Sequence, residues 1–218
     1  MNVYPRLKWT NGLTQEMARL LLPLAFLLRV EDTPRNRGWL ERVSHDLLAN
    51  MQPCGAIGEM MGMLEGGTYV SPRSNEAYGT NEAPLIQENG DPACDLLYTT
   101  NYAFLGLHEA AEATGDQELK AAEDLLADFL CRIQVRSDAH PYLDGAWMRS
   151  FDYELWEYWG SSADSGWGAW CVESGWTNTW IASLLAMRIL DSTLFDLKGT
   201  RRFQASFPGV FEEMSKDG

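Results

Sequence analysis

The residues best suited to chemistry are tryptophans and carboxylates that alternate along residues 141–180. Seven of the nine tryptophans of the chain fall in this stretch: Trp147, Trp156, Trp159, Trp167, Trp170, Trp176 and Trp180. Six carboxylates accompany them, with Arg149 as the only base: Asp144, Asp152, Glu154, Glu157, Asp164 and Glu173. Aromatic rings stack on the C–H faces of sugars, and carboxyl groups bind hydroxyls or protonate a glycosidic oxygen. The stretch therefore indicates a carbohydrate site, although part of its aromatic set is expected to form the core of a large loop.

Three carboxylates are the candidates for catalysis: Asp95, Asp164 and Glu173. Asp95 and Glu173 each precede an apolar helix, whose dipole favours an ionised carboxylate and hence a base or nucleophile. Capping alone also favours acids at helix starts, so a purely structural role for either stays open. A proton donor needs a pKa raised by apolar burial. Asp164, inside the tryptophan-rich SSADSGWGAW, is the candidate for that role.

The candidates for substrate binding are acidic and aromatic residues around the same helix starts: Glu88, Asp91, Tyr98, Trp167, Trp170 and Trp176. Other chemistries find no sequence support. The chain has no GxGxxG, P-loop, HExxH or GxSxG motif. The sequence therefore predicts neither a cofactor nor a metal ligand.

Helical periodicity dominates the chain, and two kinds of helix alternate. The segments 14–29, 98–113 and 173–190 are apolar almost all round, which is typical of helices covered on every side. Amphipathic helices follow the first two of them, one begun by Thr33-Pro34 and one capped by Asp116. This alternation predicts an all-α fold, an (α/α) toroid-like arrangement of about three helical hairpins with covered helices inside and amphipathic helices outside.

Two long loops, residues 52–97 and 135–172, each connect an amphipathic helix to the next covered one. The connections from a covered helix to the amphipathic helix that follows it are short. Because antiparallel neighbours put joins of one kind at one end, both long loops are expected at the N-terminal end of the inner helices. Long loops without secondary structure of their own are uncommon in compact domains and usually carry function.

Three segments resemble a known family. The hairpin HEAAEATGDQELKAAEDLLADFL resembles that of the six-hairpin glycosidase superfamily, and LLRVEDTPRNRGWLERVSHDLLANM is similar to a degenerate copy of it. The segment GWGAWCVESGWTNTW resembles the aromatic start of an inner helix in those enzymes. Over residues 14–190 the resemblance implies an (α/α)6 toroid, a sugar-binding funnel and carboxylate acid/base catalysis, hence a glycoside hydrolase. The family has six hairpins, so about three here suggest the C-terminal half of a larger enzyme or completion by a partner.

Composition limits the partners. The net charge of −14 argues against nucleic acid. The apolar run 20–28 is about half as long as a bilayer-spanning helix needs, and no signal peptide is evident. We therefore expect a soluble chain, and the sequence does not indicate its cellular compartment. Residues 1–218 read as one domain, and a half ring is expected to leave apolar sides of 20–28 or 98–113 uncovered, which predicts self-association or a missing partner segment.

Oligosaccharide or polysaccharide is the expected ligand, but two further classes of protein stay open. One is a non-catalytic carbohydrate-binding or assembly module that keeps the aromatic platform without the acid pair. The other is a different toroid enzyme, such as a sugar epimerase or a polysaccharide lyase. A hydrolase differs from both in needing two carboxyl groups that face each other across the aromatic groove.

Overall fold

The computed structural model describes residues 4–7, 12–62, 86, 89–158, 172 and 176–195. Over these ranges the chain is mostly helical. Its helices and strands are α1 (Leu13–Val30), α2 (Pro34–Leu48), β1 (Ala93–Asp95), α3 (Thr99–Thr114), α4 (Gln117–Ile133), β2 (Ser150–Asp152), β3 (Glu157–Tyr158) and α5 (Thr177–Ile189).

The predicted helix starts are confirmed by their caps. The hydroxyl of Thr33 accepts the Asn36 N–H at 3.2 Å, and proline follows at the first helical position of α2. At the next hairpin, Gly115 ends α3 in the left-handed conformation, where a residue without Cβ avoids strain. The side chain of Asp116 then caps the first N–H groups of α4.

Helices α1, α3 and α5 form a parallel row. Leu21 of α1 touches Gly106 of α3, and Arg29, later in α1, pairs with Glu109, later in α3. Contacts between α3 and α5 advance in the same direction along both helices. Helix α2 packs on α1 and helix α4 on α3, as expected for outer partners. We call the end where α1, α3 and α5 begin the mouth, and the other end the far end.

Helix α3 is the centre of the row and is covered as predicted. Glu112 is its only exposed residue. Close approach of α1 depends on Gly106, because a Cβ there would lie 2.5 Å from Leu21 Cβ. Since α1, α4 and α5 surround α3, the part of the expectation that left residues 98–113 uncovered is wrong. In the other segment that it named, residues 20–28, Leu21, Leu24 and Leu28 are buried and Pro23 is exposed.

Helix α5 departs from the sequence prediction in two ways. It begins at Thr177 and not near residue 173, and it is not covered on every side. Ile189 and the following Leu190 are 84% and 73% exposed, and Ala182 and Ala186 are exposed as well. Among the described residues α5 packs mainly on α3 and reaches α4 only through Arg188, so one side of its all-round apolar sequence faces outward.

A small antiparallel sheet joins the two long loops, which the all-α prediction did not include. Strand β1 lies in the first loop and pairs with β2 of the second, and β3 continues the sheet in the order β1-β2-β3. The prediction that the two loops lie together is confirmed by this pairing. The prediction that they lack secondary structure is wrong, because three-residue strands are too short to show a two-residue period.

A buried ionic network lies at the far end of α3. His108 Nδ1 is 2.9 Å from Glu123 Oε1, and its Nε2 is 2.8 Å from the Ser192 carbonyl oxygen. Because both partners are acceptors, they favour the doubly protonated, cationic ring, and the hydrogen bonds to Glu123 and Ser192 raise the pKa of His108 against the effect of burial. Glu123 also pairs with Lys120 and Arg188. Burial acts to raise the pKa of Glu123, but the hydrogen bonds from these three cations outweigh it and lower the pKa to about 2.

Candidate functional site

The sheet that joins the loops positions the site at the mouth. Strand β1 ends at Asp95, directly opposite Ser150 of β2. The N–H of Leu96 donates to the Arg149 carbonyl oxygen at 2.8 Å, so the chain around Arg149 runs beside that of Asp95. One acid and one base from loops more than fifty residues apart in sequence are thereby placed next to each other.

The first loop brings a second acid to the same place. The N–H of Glu59 donates to the Ala93 carbonyl oxygen at 3.2 Å, which lays Glu59 against β1. The next residue, Met60, accepts hydrogen bonds from the N–H groups of Leu13 at 2.7 Å and Thr14 at 3.3 Å. The carbonyl of Met60 therefore caps the start of α1, and this fixes Glu59 between α1 and β1.

Asp95 is a buried carboxylate at the start of α3. It is 5% exposed, and its Oδ1 accepts the N–H groups of Leu97 at 2.8 Å and Tyr98 at 3.1 Å. Burial raises its pKa above the ordinary value, while the charge of Arg149, the two N–H groups and the charge of Arg19 act in the other direction. The predicted position just before α3 is confirmed, but Asp95 binds N–H groups of the preceding turn and does not cap the helix, and burial acts against its ionisation.

Glu59 carries a second carboxyl of the mouth whose pKa is shifted. Its Oε1 is buried and accepts no hydrogen bond. Burial, followed by the negative charge of Asp95, raises the pKa of Glu59 to about 8. The Thr99 hydroxyl, the backbone N–H of Asp95 and the charge of Arg149 act to lower that pKa without reversing the shift. The mouth thus contains two interacting carboxyl groups, Asp95 buried and Glu59 half-buried with its Oε1 shielded from solvent, which favours one neutral and one ionised member at neutral pH.

Four aromatic rings, which we call the aromatic ladder, line the starts of α3 and α5 beside this pair. Tyr98 and Tyr102 stack with centroids 6.5 Å apart. Trp176 meets Tyr98 edge-on at 5.5 Å, and Trp180 meets Tyr102 edge-on at 5.3 Å. Trp176 is 55% exposed. The guanidinium of Arg149 lies 5.7 Å from the Tyr98 centroid, so the ladder and the acid pair share a neighbour.

The predicted site residues divide into three groups. Asp95, Tyr98 and Trp176 come together at the mouth. Asp91 lies half-buried in the turn before β1, at the opposite end of that strand from Asp95. The remaining candidates fall outside the described residues, and they are Glu88, Asp164, Trp167, Trp170 and Glu173. The assignment of the proton donor to Asp164 is therefore an open prediction.

Two tryptophans of the second loop serve packing, as expected for part of the set. Trp147 is buried, and its indole N–H donates to the Leu130 carbonyl oxygen at 2.8 Å. Trp156 closes the turn between β2 and β3, and its ring packs edge-on against Phe129 and Phe151. Neither ring belongs to the aromatic ladder.

Sequence reasoning missed Glu59. It belongs to the stretch Ala56–Gly62, in which every other residue is apolar or glycine. A single carboxylate in such a stretch is a signal of burial, because charged side chains are rarely buried without a specific environment. Glu59 precedes Asp95 by 36 positions, and no local sequence pattern connects the two residues.

Comparisons of the chain with protein-family models, with curated proteins and with solved structures give no match. The likeness to the six-hairpin glycosidases thus depends on the segments quoted from the sequence. Within the described ranges, no helix combines the length and apolar character needed to cross a membrane.

Proposed function

We propose that this chain is a carbohydrate-active protein, and specifically a glycoside hydrolase or the catalytic part of one. The observation that carries the proposal is the Glu59–Asp95 carboxyl pair, half-buried and buried respectively, beside the aromatic ladder at the mouth. A glycosidase needs a neutral carboxylic acid and a carboxylate in one site, held apart in pKa by their surroundings. The raised pKa of Glu59 and the two N–H groups on Asp95 fit that requirement.

The proposed reaction adds one water across a glycosidic bond. The neutral carboxyl donates its proton to the glycosidic oxygen, and the bond from that oxygen to the anomeric carbon breaks. The carboxylate either attacks that carbon, to be displaced later by water, or takes a proton from the water that attacks it. Tyr98 and Trp176 would stack on the sugar ring beside the cleaved bond.

The proposal extends to the architecture. A parallel row of α1, α3 and α5, with α2 and α4 packed outside it, is the order expected for part of an (α/α) toroid. The row supports the resemblance to six-hairpin glycosidases, whose sugar-binding funnel opens where the inner helices begin. We propose that the mouth of this chain is part of such a funnel.

A non-catalytic carbohydrate-binding module is the second candidate. The observation that favours it is the exposure of Trp176 next to Tyr98, which gives an aromatic surface that needs no acid to bind a sugar. Both candidates predict binding, and they differ only in whether a bond is broken.

The two candidates are separated by measuring binding and cleavage on the same variants. A panel of oligosaccharides is titrated while tryptophan fluorescence and reducing-end release are followed. The variants are Glu59→Gln and Asp95→Asn, with Glu41→Gln on the exposed face of α2 as the matched control. A hydrolase predicts that Glu59→Gln and Asp95→Asn bind but lose turnover by at least about 100-fold, whereas Glu41→Gln retains it. Binding without cleavage by the wild type favours the binding module, and absence of binding contradicts both.

A further inference from the structure

The two carboxyl groups of the mouth are not equivalent in their hydrogen bonds. Asp95 Oδ1 accepts the backbone N–H groups of Leu97 and Tyr98 in the turn that leads into α3, which is an arrangement that stabilises an anion. Glu59 Oε1 is buried and accepts none, and the interactions of the Glu59 carboxyl with the Thr99 hydroxyl and the Asp95 N–H lower its pKa without reversing the rise. An ionised carboxylate with a buried, unpartnered oxygen is costly, whereas a neutral carboxyl at the same position is much less so.

The cation of the mouth adds to this asymmetry. Arg149 directly precedes β2, and the pairing of Asp95 with Ser150 keeps its backbone beside Asp95. Its guanidinium lies over the ring of Tyr98, the residue whose N–H donates a hydrogen bond to Asp95 Oδ1. The charge of Arg149 acts to lower the pKa of both carboxyl groups, and at Asp95 it is the foremost influence that opposes burial.

We infer that the shared proton of the mouth belongs to Glu59, and that Arg149 and the turn that leads into α3 keep Asp95 ionised. Glu59 is then the proton donor and Asp95 the nucleophile or base, and Arg149 is a positioning residue that acts through Asp95. The catalytic roles rest on the proposed function. The location of the proton does not, because it follows from the contacts of this chain alone.

The other titratable groups around the pair leave this assignment unchanged. Cys94, next to Asp95 on β1, has a pKa raised well above its ordinary value by burial and by Glu59, so it stays a neutral thiol. Arg19 of α1 acts on Asp95 in the same direction as Arg149, and it is itself paired with Glu16 at 3.2 Å.

The test is a titration of the side-chain carboxyl carbons by NMR in protein labelled with ¹³C at Asp and Glu. The two resonances are assigned by their disappearance in Glu59→Gln and Asp95→Asn. In the wild type we expect the Glu59 carbon to be in its neutral position at pH 6 and to move only near pH 8. The Asp95 carbon is expected to be in its ionised position at pH 6.

Three variants test the cause. Asp95→Asn removes the neighbouring charge and is expected to lower the Glu59 midpoint by roughly one pH unit or more. Arg149→Met is expected to raise the Asp95 midpoint more than that of Glu59, so that the two midpoints approach each other. Arg149→Lys keeps the charge and is expected to restore most of the separation, which a purely packing role for Arg149 does not predict.

The inference is overturned by a Glu59 carbon that is ionised at pH 6, by a neutral Asp95, or by midpoints that do not respond to Arg149→Met. If Arg149→Met does not fold, Arg149→Lys and Asp95→Asn still decide the location of the proton. No sugar takes part in this titration. If the two carbons titrate as expected but no oligosaccharide binds in the separate binding assay, the proposed function fails and the proton is still located on Glu59.

Discussion

Two carboxyl clusters with little access to solvent lie near opposite ends of α3, and they are built in opposite ways. At the far end, Glu123 is surrounded by three cations that lower its pKa to about 2. At the mouth, Glu59 lies next to a second acid, and its pKa rises to about 8. The far-end cluster ties α3, α4 and α5 together by ion pairs in which its charges compensate each other. In the mouth cluster two acids lie side by side, and their mutual repulsion is unfavourable for stability. Such arrangements are typical of functional sites.

The largest effect is expected where a charge-compensated cluster is broken. Glu123→Gln removes the negative charge that pairs with His108, Arg188 and Lys120. Part of their positive charge is then left uncompensated where water has little access. We expect the free energy of unfolding to fall by about 3–5 kcal/mol, measured by urea denaturation at pH 7. An effect below about 1 kcal/mol, the size ordinary for exposed ion pairs, would show that the far-end network is not structural.

Asp124→Asn provides the matched control for that measurement. Asp124 accepts a hydrogen bond from Arg188 at 2.7 Å, but its side chain is 51% exposed. Water screens this pair, so the expected loss is under about 1 kcal/mol. Equal losses for the two variants would mean that burial does not distinguish the two carboxylates.

A second effect is expected in acid. The pKa of Glu123 is about 2 in the folded chain against 4.5 ordinarily, so its stabilisation is present above pH 4.5 and is lost as the pH falls to about 2. The slope reaches about 1.4 kcal/mol per pH unit. The difference in unfolding free energy between the wild type and Glu123→Gln should therefore shrink over this window. A constant difference from pH 6 to pH 2 would contradict the network.

The smallest effect concerns ligand binding. Trp176→Ala removes an exposed ring of the aromatic ladder, and stacking of this kind contributes on the order of 1 kcal/mol beyond the area buried. Oligosaccharide affinity is expected to fall severalfold with the fold kept. Trp39→Ala on α2 is the control, because Trp39 is a half-buried tryptophan outside the ladder. Equal affinity losses in both variants would argue against a sugar surface at the mouth.

Much of the fold could be predicted because its signals are local. Thr33-Pro34 and Gly115-Asp116 mark helix boundaries by their own backbone chemistry, and the helical period covers a dozen residues or more. The strands β1 to β3 have two or three residues each and therefore no readable period. The open side of α5 was missed because an apolar sequence indicates that a helix can be covered, and not that a neighbour is present.

The site was only partly predictable for a similar reason. Asp95, Tyr98 and Trp176 stand at or just before helix starts, so one helix prediction places each of them at the mouth. Glu59 reaches the site through the contact of its N–H with Ala93, a long-range hydrogen bond that no local pattern encodes. The pKa of Glu59 depends on that contact and on burial, which a carboxylate in a loop does not reveal.

The most direct test is the free energy of unfolding of the wild type and Glu59→Gln from pH 4 to pH 9. An acid whose folded pKa is raised stabilises the fold fully below its unfolded value of 4.5, and this stabilisation is lost as the pH rises through about 8. The wild type should therefore lose up to about 1.4 kcal/mol per pH unit in this window relative to Glu59→Gln, and the variant should be the more stable protein at pH 9. A variant that is less stable at every pH, as expected for Glu123→Gln at pH 7, would contradict the assignment of the mouth as a site that trades stability for chemistry.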